Sequence, residues 1–124
     1  MRIGDADFEH AVGLILERLR EAAARPGDVL DGWVTYKELS DWLAERGVHV
    51  PYHDGPLPHL LGAASEREHA QQRGMISALV VEQGTRQPST GFYRLARGAP
   101  FHRVGDDQTL WWREVERVRA EHGG

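Results

Sequence analysis

The chain contains no cysteine, which excludes disulfides, thiolate zinc sites and cysteine nucleophiles. It also lacks an apolar run approaching the roughly 18 residues that a membrane span requires. The opening MRIGDADFEH has no hydrophobic signal segment, so the cytoplasm is the expected location. Net basic charge is missing too: 15 Lys and Arg stand against 19 Asp and Glu. What is present describes one globular domain of 124 residues, with 40% hydrophobic and 27% charged residues. At this length roughly two thirds of the unfolded surface can be buried, enough for one core without staples.

The charge is unevenly spread. Residues 1 to 32 carry four Arg against seven acids, and residues 104 to 124 carry three against five. Between them, residues 33 to 103 carry eight Lys and Arg against seven acids, with five histidines besides. An anion-binding face therefore belongs in the middle of the chain.

Apolar residues Phe8, Val12, Ile15, Leu19 and Ala22 recur in steps of four and three and predict a first helix, capped by Asp5 or Asp7 and ended at Arg25-Pro26-Gly27. Trp33-Val34 reads as a short extended segment. Thr35-Tyr36-Lys37-Glu38 is a capping box, opening a helix over about residues 36 to 46 that buries Leu39, Trp42 and Leu43. Gly47 ends it in a Schellman motif pairing Leu43 with Val48. After the loop 49 to 55, Pro56 and Pro58 open a third helix, apolar through Leu57, Leu60, Leu61 and Ala64 and polar over Ser65 to Arg73. That contrast predicts a helix projecting from the body, ended by Gly74. Met75 to Glu82 and Gly91 to Ala96 read as two strands of a hairpin with a polar tip. Asp106 or Asp107 caps a last helix, about 107 to 121, with Leu110, Trp111, Val115 and Val118 inward.

This order predicts an α+β fold: a single winged helix-turn-helix domain with a three-helix core (about 8 to 96), a small antiparallel sheet forming the wing, and the C-terminal helix. In such folds the third helix enters a DNA groove and the wing follows the backbone.

Residues 33 to 96, about half the chain, carry Thr35-Tyr36-Lys37-Glu38-Leu39, His59-Leu60-Leu61-Gly62-Ala63-Ala64, Ile76-Ser77-Ala78-Leu79-Val80-Val81 and Gly91-Phe92-Tyr93. This series resembles the winged-helix domain of DNA alkyltransferases and alkyltransferase-like proteins, whose motifs T-Y-x-E-L, R-A-V-G-x-A, P-C-H-R-V-V and a late G-Y fall in the same order. The resemblance implies a DNA-facing surface. Tyr36 matches the tyrosine that helps rotate the backbone, and His59 takes the place of the arginine that enters the base stack. Ser77 stands where the family has its acceptor cysteine and Ala78 where it has the activating histidine, so alkyl transfer should be absent and the protein non-enzymatic.

The groove-facing set on the third helix is His59, Ala63, Glu66, Arg67 and Ala70, with Arg67 suited to phosphate or guanine. The hairpin tip offers Arg86, Gln87, Ser89 and Thr90 to a backbone or minor groove, flanked by Arg73, Arg94, Arg97 and Arg103. About two to four phosphate contacts are the upper limit, which predicts a shallow salt dependence. His49, His53, His59 and His69 match no metal-site spacing, and Ser77 lacks a nucleophile-elbow pattern, so neither a metal, a cofactor nor a hydrolase is expected.

Two functions follow as expectations. The first is a non-catalytic protein that binds double-stranded DNA, either a small regulator or a reader of distorted or modified bases. The second is a protein-interaction module or homodimer using the acidic terminal helices or Trp112.

Overall fold

The computed structural model describes residues 6–25, 33–50 and 57–123. Asp5, Pro26–Gly27, His53 and Pro56, each given a role above, lie outside the described residues. In chain order the elements are α1 (Ala6–Ala24), β1 (Val34–Thr35), α2 (Tyr36–Glu45), α3 (Leu57–Ala70), a 3₁₀ turn (Ile76–Leu79), β2 (Val80–Val81), α4 (Thr90–Arg97) and α5 (Asp107–Gly123).

The winged-helix expectation is overturned. Among the described residues the only sheet is a parallel pair, Val34 beside Val80 and Thr35 beside Val81, and no antiparallel hairpin forms. Gly91 to Ala96, expected as the second strand, lies within α4. Phe92 and Ala96 are buried four residues apart on one face, and the Arg97 guanidinium sits 5.9 Å from the centre of the Tyr93 ring, again at i,i+4. The segment has apolar residues at both strand and helix spacing, and packing chose the helix. Met75 to Glu82 is extended for only two residues, because Ile76–Leu79 winds into the 3₁₀ turn. The Ala78 carbonyl, unpaired within a ladder, accepts the Trp111 Nε1–H at 2.9 Å.

α1 is the central helix, packing against α2, α3, α5 and the 3₁₀ turn. Its predicted stripe, Phe8, Val12, Ile15, Leu19 and Ala22, is buried as expected. The capping box at Thr35 is formed: Glu38 N–H donates to Thr35 Oγ1 at 3.0 Å and Thr35 N–H to Glu38 Oε1 at 3.2 Å. At the other end of α2, Val48 N–H reaches Leu43 O and Gly47 N–H reaches Ala44 O, with Gly47 at φ +83°, the expected Schellman motif. Asp106 caps α5 by accepting Thr109 N–H at 2.9 Å, which holds its carboxyl below the usual range.

The projecting third helix is a second correction. Ser65 and Glu68 in its polar half are fully buried. Ser65 bonds to Ser77. The Glu68 carboxylate is ion-paired with Arg20 of α1 and with Arg73, a link that fastens the C-terminal half of α3 to α1, and His122 of α5 lies 3.7 Å from it. The helix also stops before Gly74: Gln72, at φ +62°, takes the left-handed position of its own Schellman turn, with Arg73 N–H on Glu68 O.

Candidate functional site

The β1–β2 pair joins two distant stretches of chain and brings the first residue of α2, Tyr36, to the same cavity as Ser77. This cavity, about 390 Å³, is walled by Pro58, His59, Leu61 and Gly62 of α3, by Ser77, by Ser89 and α4, and by Gly98 and Ala99. Its volume falls within the range of small-molecule pockets.

Two hydroxyl pairs set its polar chemistry. The Tyr36 hydroxyl accepts the Ser89 N–H at 3.3 Å and donates to Ser89 Oγ at 3.0 Å. Burial pushes the Tyr36 phenol up, so it stays protonated at neutral pH. Deeper in, Ser65 Oγ accepts the Ser77 N–H at 3.1 Å and donates to Ser77 Oγ at 2.7 Å. In each pair the receiving serine, Ser89 or Ser77, accepts its neighbour's proton, leaving its own free to point at a guest. Ser77 and Ser89 therefore present donors among mainly apolar walls. Ser77 Oγ is bonded to a serine, not to a histidine.

A second recess of about 450 Å³ lies on the other flank of α3, toward the start of α1. It is lined by Phe8, Glu9, Ala63, Glu66, Arg67 and Ala70, and it shares Pro58, His59, Gly62 and Leu95 with the first cavity. The Arg67 guanidinium is ion-paired with Glu9 across this recess.

The structure thus brings together much of the sequence-predicted set. Tyr36, His59, Ser89 and Arg94 line the first cavity, and His59, Ala63 and Arg67 the second. Arg86 and Gln87 are exposed on the connection from β2 to α4, a turn closed by Glu82 N–H on Gln87 O and Arg86 N–H on Glu82 O. Thr90 is exposed at the first turn of α4. Arg73 lines neither recess and pairs with buried Glu68. Arg97 pairs with Asp107 at 2.6 Å and Arg103 with Glu114 at 3.2 Å. Trp112 is half-buried, its ring 5.3 Å from Trp111 and 6.0 Å from Trp33, so it serves the packing of this chain.

Sequence reading missed the α4 contribution of Leu95 and the loop positions Gly98 and Ala99, because it placed a strand there. It also missed Ser65, although Leu61, Ser65 and Glu68 continue the spacing of the α3 apolar stripe. Among the described residues no three His, Asp or Glu side chains gather as a metal site, and no helix is long and apolar enough to cross a membrane. Comparison with protein-family models, curated proteins and solved structures finds no match to the chain.

Proposed function

We propose that the protein is a non-catalytic binder of double-stranded DNA that accepts an extruded base in the cavity between α3, α4 and Ser77. One observation carries this reading. Tyr36, His59 and Ser77, three of the four positions that the resemblance to alkyltransferase-like proteins singles out, line one cavity although far apart in sequence, whereas Ala78, the fourth, is buried in the core and does not line it. The resemblance lies in the sequence alone, and their convergence is an independent geometric fact that supports it.

The chemistry is suited to the task. A flipped base is held by stacking on apolar walls and by hydrogen bonds to its exposed edge. Leu61, Phe92 and Leu95 supply the walls, and the Ser77 and Ser89 hydroxyls supply donors. His59, in the first turn of α3 at the cavity rim, can fill the stack vacated by the base. With a serine at position 77 there is no acceptor for an alkyl group, so the bound base is read and not repaired. Arg94 at the cavity and Arg86 on the preceding loop are exposed cations for the backbone. Their small number fits weak binding with a shallow salt dependence.

Anisotropy titration of two labelled duplexes, one fully paired and one with a single unpaired base, tests the reading. Tighter binding of the second is expected, and Gly62→Leu, which projects a side chain toward Leu95 at the cavity wall, should erase the difference. Absence of binding to either duplex at about 50 mM salt, with protein above the roughly 10⁻⁴ to 10⁻⁶ M range of non-specific affinity, would falsify it.

A further inference from the structure

We infer that Glu9 is an internal competitor for DNA phosphate: it holds the Arg67 guanidinium in the recess between α1 and α3, and a phosphodiester running past α3 must take that guanidinium from it. The inference rests on the DNA reading above and adds a residue to it that no sequence motif marked.

The geometry is specific. Arg67 is the only lysine or arginine in α3, and it lies on the outward face with His59 and Ala63, which line the same recess. Its guanidinium reaches across to Glu9, on the first turns of the neighbouring helix. Both side chains are substantially exposed, 39% and 49%, so the pair is screened and held weakly. A guanidinium forms paired hydrogen bonds to phosphate as readily as to carboxylate, so the two acceptors compete for one donor set. Glu66 lines the same recess and adds a second negative charge. With Arg67 neutralised, this side of α3 repels a backbone; with Arg67 released it offers one contact. Because Pro58, His59, Gly62 and Leu95 wall both recesses, a strand whose base enters the first cavity passes beside the second. The Glu9 contact thereby lowers affinity for DNA that does not settle against α3.

The test is a double-mutant cycle, read by anisotropy on the duplex with one unpaired base, over a series of salt concentrations. The proteins are the full chain, Glu9→Gln, Arg67→Gln, the double variant, and Glu17→Gln, which removes an equal charge from another exposed position of α1. Glu9→Gln should tighten binding roughly two- to fivefold, the worth of one exposed ion pair. Its log-log salt slope should steepen by up to about 0.9, one phosphate contact. Both gains should shrink in the Arg67→Gln background to the level of Glu17→Gln. Equal effects of Glu9→Gln and Glu17→Gln, or an undiminished gain without Arg67, overturn the competitor role while leaving DNA binding intact. Failure of all five proteins to bind overturns both.

Discussion

Arg20 of α1 donates its Nε–H to Oε1 of Glu68 at 2.7 Å, and that carboxylate has no exposed surface at all. Arg73 closes on the other oxygen, so the charge is compensated from two directions. The two guanidinium groups hold the Glu68 carboxyl below its usual range although burial works against them. Replacing Glu68 by Gln should destabilise the protein by about 2–3 kcal/mol in urea unfolding. That is less than the roughly 3–5 kcal/mol for breaking a fully buried pair, because Arg20 and Arg73 keep 43% and 33% of their side-chain surface. An unchanged unfolding midpoint would remove the clamp from the account of the fold.

His122 faces the same cluster, its Nε2 3.7 Å from Glu68. Burial lowers its pKa, Glu68 and Glu121 oppose that shift, and Arg20 and Arg73 reinforce it, so the ring is neutral at pH 7. A histidine whose folded pKa lies below its unfolded value contributes stability above about pH 6.5, and loses it as the pH falls through the folded value. Glu68 behaves in the same sense at lower pH, below its ordinary 4.5. Stability measured from pH 7.5 downward should therefore fall in two stages. His122→Gln should flatten the first and leave the second.

Ser65 Oγ is the partner of both the Ser77 amide and the Ser77 hydroxyl. Ser65→Ala leaves that buried amide without an acceptor, at a cost of about 1–3 kcal/mol. Thermal or urea unfolding gives the first consequence. The second is local: the Ser77 hydroxyl loses its orientation, so discrimination between the two duplexes should narrow even under conditions where the variant is fully folded.

Gln72 occupies the left-handed position that closes α3, a conformation glycine adopts without penalty. Its side chain is exposed, so Gln72→Gly removes no buried contact. The substitution should raise stability by about 0.5–1 kcal/mol, less whatever glycine adds to the entropy of the unfolded chain. A loss greater than the roughly 0.5–1 kcal/mol that the entropy of glycine in the unfolded chain costs would mean that the Gln72 side chain contributes to the turn.

The helices with clear punctuation were legible from sequence. Thr35 with Glu38, Leu43 with Gly47 and Val48, and Asp106 ahead of Leu110 are local signals, and the local geometry follows them. The strands were not. Val80-Val81 chose Val34-Thr35 as its partner, a choice made by tertiary packing between stretches far apart in the chain, and Phe92 to Ala96 obeyed the α-helical spacing equally present in its pattern. The polar half of α3 misled for a physical reason: Glu68 sits on the apolar stripe, and only the arrival of Arg20 and Arg73 from elsewhere makes its burial tolerable. For the cavity, Tyr36, His59, Ser89 and Arg94 were named from sequence, whereas Leu95, Gly98 and Ala99 needed α4 to be recognised as a helix.

The parallel pairing of Val34-Thr35 with Val80-Val81 has a thermodynamic corollary. The cavity walls come from positions 36 to 99, stretches far apart in the chain, so the pocket exists only where the chain is folded and an unfolded chain has no site for a guest. Occupancy must then be linked to global unfolding, and a saturating compound at one hundred times its dissociation constant should add about 2.7 kcal/mol. Differential scanning fluorimetry against free nucleosides would register such a gain as a higher melting temperature, without any assumption about duplex geometry.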